Sequence, residues 1–248
     1  MIEITINGKA CTCEKGEFLL EVARRNGFYI PTLCHHPGVA EQGCCRACLV
    51  EVVENKRSKI VVSCVYPVEQ SCEVYTDSAR VREDRGAVLM LLAARAPEST
   101  EIKALCKQYG AMDGSRFAPI EGEKCIMCGL CARACASLGT GAISTVMRGT
   151  SKKISTPYDE PSSACIGCLS CAKICPTRAI DFAEDEKKRS IWGREFELIR
   201  CKECGAPIGT KEEIEYAAMR CGEEPTYLCP DCRKKKMADV MAHAYGVE

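Results

Sequence analysis

Two runs of cysteine constrain this chain more than any other feature. Cys125, Cys128, Cys131 and Cys135 are spaced C-x2-C-x2-C-x3-C, and Cys165, Cys168, Cys171 and Cys175 repeat that spacing, with Pro176 directly after. Free core thiols have no reason to repeat a spacing, whereas thiolates spaced this way wrap a [4Fe–4S] cubane. The first three cysteines of a run hold three irons of one cluster, and the fourth reaches across to the other. The spacing therefore predicts one cluster on Cys125, Cys128, Cys131 and Cys175. It predicts a second on Cys165, Cys168, Cys171 and Cys135.

Composition favours metal over disulfide. The chain has 22 cysteines in 248 residues. Its start, MIEITINGK, reads directly as an alternating strand, without the charged and apolar regions of a signal peptide. The longest apolar stretch, Ala87–Ala94, is too short to span a bilayer. These features predict a cytoplasmic chain without membrane insertion, where disulfides are reduced and dense thiols hold metal. Basic and acidic residues balance at 34 each, so nothing global favours nucleic acid or an anionic surface. The densest charge runs, Glu184–Arg189 and Arg233–Lys236, read as solvated faces or as docking patches.

Residues 121–183 resemble the two-cluster bacterial ferredoxin domain. Ala136 stands where that family has a proline, which shapes a turn and is not a ligand. Gly141–Val146 and Thr177–Phe182 are expected as the short strands after each run. Between them, Arg148–Ser163 is polar, carries Pro157 and Pro161, and reads as a loop insertion. Gly139-Thr140-Gly141 lacks the rest of a dinucleotide fingerprint.

Residues 1–77 open with Ile2, Ile4 and Ile6 alternating with polar residues, a strand with one buried face. Asn7-Gly8 is a hairpin turn signal, and Lys9–Cys13 returns as the second strand. Glu17–Arg25 has helical spacing and stops at Asn26-Gly27. Val50–Glu54 and Ile60–Cys64 read as strands around the turn Asn55–Lys59, and Glu73–Thr76 as the last strand. A β-hairpin followed by a helix is how a ubiquitin-like β-grasp domain begins. Cys34, Cys45, Cys48 and Cys64 are spaced C-x10-C-x2-C-x15-C, a loose match to the plant-type [2Fe–2S] pattern, and Cys44 is an alternative to Cys45. Gly43 suits a loop that brings backbone N–H groups near sulfur. Pro31–Val52, PTLCHHPGVAEQGCCRACLVEV, is similar to the N-terminal [2Fe–2S] domain of the complex I large iron–sulfur subunit and its relatives. Those relatives are iron-only hydrogenases, NAD-linked formate dehydrogenases and the small diaphorase subunit of NAD-reducing hydrogenase. The resemblance implies that the cysteine before Arg46, Cys45, is the ligand. His35 and His36 are expected on the surface, since four cysteines already serve the site.

In residues 78–120, Asp77 or Ser78 can cap a helix that runs to Arg95, Pro97 stops it, and Glu98–Tyr109 forms a second helix. The resembling families carry here a [4Fe–4S] cluster held by one His and three Cys. Ala96–Glu101 keeps the Pro but lacks that His and the first two Cys, and Cys106 stands alone. One thiolate cannot hold a cubane, so this cluster is expected to be lost. Cys106 then reads as a small buried residue, and the helices as a spacer between the [2Fe–2S] domain and the cubanes.

Residues 184–248 hold two knuckles, Cys201-x2-Cys204 and Cys229-x2-Cys232. Four thiolates on two turns suit structural Zn2+, with a third [4Fe–4S] cluster as the competing reading and Cys221 as a fifth candidate. Thr210-x-x-Glu213 is a capping box for a helix to about Arg220, and Lys234–Ala244 should form a terminal helix. Cys11, Cys13 and Cys72 are expected as buried structural thiols.

The expected fold class is α+β: a β-grasp [2Fe–2S] domain, a helical connector, a two-cluster ferredoxin-like domain and a small zinc-ribbon-like module. No Ser/His/Asp set and no nucleotide-binding βαβ unit is legible, so no catalytic residues are assigned. The resemblance implies an electron-transfer subunit in a hetero-oligomer, working between a flavoprotein that handles NAD(P)H and a hydrogenase or formate dehydrogenase module. Electron bifurcation with soluble ferredoxin occurs in some members. A free ferredoxin-like carrier is the alternative. A nucleic-acid-binding regulator has only the basic run at Arg233–Lys236 in its favour.

Overall fold

The computed structural model describes residues 1–111 and 117–246. The chain is a mixed α/β protein of two compact units. One comprises Met1–Arg133 with Ile174–Ala179; the other comprises Ala134–Lys173 with the chain from Ile180 onward. Two of the three crossings, after Arg133 and after Lys173, fall inside the cysteine runs, so the last cysteine of each run belongs to the unit that does not hold the run's first three.

In the first unit, β1 (Ile2–Ile6) and β2 (Lys9–Cys13) pair antiparallel around Asn7-Gly8, both with positive φ. Helix α1 (Leu19–Arg25) follows and ends as expected at Asn26-Gly27. β3 (Leu49–Glu54) and β4 (Arg57–Val62) meet at Asn55-Lys56, where both residues have positive φ. That two-residue turn replaces the expected five-residue one, because a left-handed pair matches the twist of the strands it joins. β5 (Glu73–Tyr75) runs parallel to β1 and antiparallel to β3, and the sheet order is β2-β1-β5-β3-β4. Ile4, Ile6, Leu19, Leu20, Val22, Val50, Val52 and Val74 form its core, which includes the free thiols Cys11, Cys13 and Cys72.

Ser78 caps α2 (Ala79–Arg95) by accepting from the Val81 N–H at 3.3 Å, while Asp77 pairs with Arg82. Ser99 caps α3 (Thr100–Gln108) in the same way through Ile102. Buried Arg85 of α2 donates to the carbonyls of Ala47 (3.1 Å), Leu49 (2.6 Å) and Thr76 (3.1 Å). Burial pushes its guanidinium pKa down, and three acceptors offset that cost. The helices share a core with two of the cysteine loops. Leu89, Ala96, Ile102 and Cys106 share one apolar cluster with Leu33, Cys34 and Cys45 and with Ile126, Cys128 and Leu130. Apolar helix faces are buried most cheaply against both loops at once.

In the second unit, entered along α4 (Leu130–Leu138), β6 (Ser144–Val146) pairs with β7 (Lys153–Ser155). The polar insertion thus supplies a strand, contrary to its reading as a loop. After α5 (Ser170–Lys173), β8 (Phe182–Glu184), β9 (Lys188–Ile191), β10 (Arg194–Arg200) and β11 (Pro207–Thr210) form an antiparallel sheet in the order β11-β10-β9-β8. Only Phe182 of the expected strand Thr177–Phe182 is in a strand. Thr210 caps α6 (Lys211–Cys221) by accepting from the Glu213 N–H at 3.1 Å, as the capping box predicts. Helix α7 (Pro230–Tyr245) begins at the last cysteine pair, four residues before the expected Lys234. Pro230 is preset for a first helical position, and the Cys229 sulfur accepts the Cys232 N–H at 3.4 Å. No helix among the described residues is long and apolar enough to cross a membrane.

Candidate iron–sulfur and metal centres

All 22 cysteines are free thiols, and most gather in four groups. The first group is Cys34, Cys45, Cys48 and Cys64, each 5% exposed or less. Cys64 sits on a 3-10 turn just after β4, not at the end of the expected strand. The Cys34 thiol lies within hydrogen-bonding reach of Cys44, Cys45 and Cys64, which hold its pKa well below the usual thiol range. Hydrogen bonding to Cys64 brings Cys48 down to about 6. Hydrogen bonding to Cys34 pushes Cys45 and Cys64 up. A bound cation would relieve this crowding by letting all four ionise. Gly43 has φ +62, and a Cβ there would sit 3.0 Å from Val65. The Cys45 N–H points at the Cys34 sulfur at 3.5 Å. Cys44 is exposed, and its thiol donates to the Cys128 carbonyl at 3.2 Å. His35 corrects the surface expectation: its side chain is 4% exposed, with Nε2 3.2 Å from Glu21 and Nδ1 2.8 Å from Glu41. His36 is exposed, as expected.

The second group is Cys125, Cys128 and Cys131, joined in the same unit by Cys175. Burial pushes Cys128 up to about 11 and Cys131 up to about 12, and the charge of Cys175 adds to both. The Met127 N–H faces the Cys125 sulfur at 3.4 Å, and the Ala179 N–H faces that of Cys175 at 3.3 Å. Arg133 ties this group to the first. Its Nη2 donates to the carbonyl of Cys34 at 2.9 Å and to that of Cys128 at 3.3 Å, and its Nη1 donates to Ala40. One guanidinium therefore spans a residue of each set.

The third group is Cys165, Cys168 and Cys171, with Cys135 in the same unit. These four thiols line one cavity with Ile143, Ile166, Leu169, Ile191 and Trp192. Burial pushes Cys171 up to about 11, and Cys168, Cys135 and Cys165 add to the rise. The Cys135 sulfur accepts the Ala142 N–H at 3.2 Å and lies 3.1 Å from the Thr140 hydroxyl, so the G-x-G turn serves a thiol. The C-terminal sheet clasps this cysteine loop. Arg194 donates to the carbonyls of Ser162, Ser163 and Cys165, Arg189 to that of Gly167 (2.7 Å), and the Thr210 hydroxyl to that of Ile166 (2.5 Å). Arg189 also pairs with Glu184 at 2.6 Å and is buried, so the charge run Glu184–Arg189 is not wholly solvated.

The fourth group is Cys201, Cys204, Cys229 and Cys232, whose four sulfurs all lie within 4.8 Å of one another. Cys204 and Cys229 are 3.7 Å apart. A tetrahedral metal at about 2.3 Å from each sulfur sets thiolates about 3.8 Å apart. A cubane holds its thiolates on outer corners and needs them wider. The first pair sits in the β10–β11 turn and the second opens α7. Backbone N–H groups of Cys204 and Cys229 bring Cys201 down to about 6. Cys221, the fifth candidate, lies exposed at the end of α6. Cys106 is buried, with its sulfur 3.6 Å from the Leu89 carbonyl.

Residues 1–79 match the 2Fe-2S iron-sulfur cluster binding domain, and residues 118–182 match the 4Fe-4S dicluster domain. The chain carries two iron–sulfur cluster domains. It is 30% identical over 215 residues to the NADP-reducing hydrogenase subunit HndD of Solidesulfovibrio fructosivorans, covering 73% of this chain and 36% of that protein. It is 29% identical over 134 residues to the mitochondrial NADH-ubiquinone oxidoreductase 78 kDa subunit of Candida albicans, covering 50% of this chain and 18% of that one. It thus spans roughly a third or less of these curated relatives. A chain in the crystal structure of an NAD+-reducing [NiFe]-hydrogenase in the H2-reduced state superposes with a TM-score of 0.61 at 27% identity, covering 72% of this chain and 86% of that chain.

The loop-holding residues, Arg133, Arg189, Arg194, Trp192 and Thr210, escaped sequence reasoning. Thr210 was visible only as a cap, and Arg189 only as the end of a charge run. The others sit in no motif, because a side chain that holds a distant carbonyl leaves no local pattern.

Proposed function

We propose that this chain is the internal electron relay of a multisubunit NAD(P)-linked oxidoreductase. In this reading Cys34, Cys45, Cys48 and Cys64 hold a [2Fe–2S] cluster. One [4Fe–4S] cluster binds to Cys125, Cys128, Cys131 and Cys175, and a second to Cys135, Cys165, Cys168 and Cys171. Cys201, Cys204, Cys229 and Cys232 hold a structural Zn2+, favoured over a cubane by their short sulfur separations. The clusters supply one-electron carriers; the protein sets their spacing, dryness and potentials. The sheet order and the single packed helix support a β-grasp for residues 1–77. Residues 78–120 are a connector without the His-ligated cluster, 121–183 the dicluster domain and 184–248 the zinc-ribbon-like module. Its partners are a flavoprotein that handles NAD(P)H and a hydrogenase or formate dehydrogenase module, in the reducing cytoplasm.

The observation that carries the relay reading is the Cys34–Arg133–Cys128 bridge. It joins the backbones of two ligand loops whose Cys34 and Cys128 belong to one apolar cluster. Metal analysis of the anaerobically purified chain tests it: about ten iron and one zinc are expected from the ligand sets. About fourteen iron without zinc would move the C-terminal set to a cubane. Cys45→Ser should abolish the [2Fe–2S] signal while Cys44→Ser leaves it; the reverse would reassign the ligand. Co-elution with other subunits from the source cells is expected, and a lone native chain would favour a free carrier.

A further inference from the structure

The β9–β10 hairpin turns through two residues, Trp192 and Gly193, since Ile191 pairs with Arg194. Their φ values are 53° and 72°. Turns of this kind favour Asn, Asp or Gly at the first position. A bulky aromatic there is strained, and such strain persists only where the surroundings impose it. The surroundings here are the third thiol group. The Trp192 indole Nε1 lies 3.5 Å from the Cys171 sulfur, and its ring walls the cavity beside Ile191.

We propose that Trp192 is a positioning residue for the second [4Fe–4S] site, donating its N–H to the Cys171 sulfur and closing the apolar side of the cavity against water. The inference rests on the cluster assignment above. A donor to a ligand sulfur stabilises the more negative, reduced state, so it raises the potential of that centre alone. The ring itself limits access of water and oxygen.

Two variants of the full chain separate the roles. Trp192→Phe keeps an aromatic wall and removes the N–H. In an EPR-monitored redox titration, one [4Fe–4S] couple should move to lower potential while the other and the [2Fe–2S] couple stay in place. Trp192→Ala should in addition bleach faster in air. Trp192 is the chain's one tryptophan, so its emission reports directly on the site. Loading iron and sulfide into the wild type should quench it. If the wild type falls short by about four iron and its emission does not change on loading, the cluster assignment fails. If iron is complete but Trp192→Phe moves no couple, or moves all of them, the Trp192 proposal is overturned and the cluster assignment stands.

Discussion

The loops Cys125–Cys131 and Cys165–Cys171 share one spacing and one backbone, yet different parts of the chain hold them. Both take left-handed conformations at two equivalent places: Met127 (φ 56°) and Gly129 (φ 71°) in the first, Gly167 (φ 68°) and Leu169 (φ 58°) in the second. Successive turns of this kind aim backbone N–H groups inward, at sulfur. The glycine has changed places between them. In the second loop it stands where a Cβ would meet Phe196 at 2.8 Å and Thr210 at 3.0 Å. In the first it stands where a Cβ would meet the movable end of Gln42, at 3.1 Å, and Arg133 Nε at an ordinary 4.0 Å. One loop is wired to the N-terminal half through Arg133; the other is gripped by a C-terminal sheet. Equal cysteine spacing sets equal local geometry, while the tertiary neighbours decide where glycine is obligatory.

The largest expected effect breaks this comparison at the glycines. Gly167→Ala should lose about four iron and one [4Fe–4S] signal, because the clasp cannot close over a Cβ. Gly129→Ala should retain its iron. Iron analysis with EPR reads both, and equal losses would mean that the sheet does not grip the second loop.

Arg189→Met comes next. It leaves the Gly167 carbonyl without its donor and Glu184 without its partner, at a cost of about 3 kcal/mol in thermal stability. The loss should fall on the second cubane, seen as earlier bleaching of that signal on heating. Arg133→Met removes the bridge on the other side. It should cost about 2 kcal/mol and leave iron content intact. Rapid-freeze EPR should show slower equilibration between the [2Fe–2S] and first [4Fe–4S] signals, and unchanged equilibration would deny the bridge its role.

The smallest effect lies away from both loops. Arg25 hydrogen-bonds Glu17 and holds its carboxyl below the usual value. Its contribution is therefore present above the ordinary glutamate pKa and lost as pH falls through the lower folded value. Both side chains are partly exposed, so Glu17→Gln should cost no more than about 1 kcal/mol at pH 7. Paired melts should converge in acid.

The cysteine spacings by themselves determined the cofactor class, since thiolate geometry around iron is local along the chain. Asn7-Gly8, the Ser78 and Thr210 caps, and the buried Cys11, Cys13, Cys72 and Cys106 were legible for the same reason: each depends on residues a few positions away or on hydrophobic period. What only the tertiary structure decided depends on distant partners. The His35 side chain is turned inward between Glu21 and Glu41 rather than out to solvent, and Arg189 is buried where Gly167 offers a carbonyl. The connector became common core for two loops because its apolar faces could reach both. Such choices minimise unpaired polar groups and exposed apolar surface across the whole fold, and no single stretch of sequence carries them.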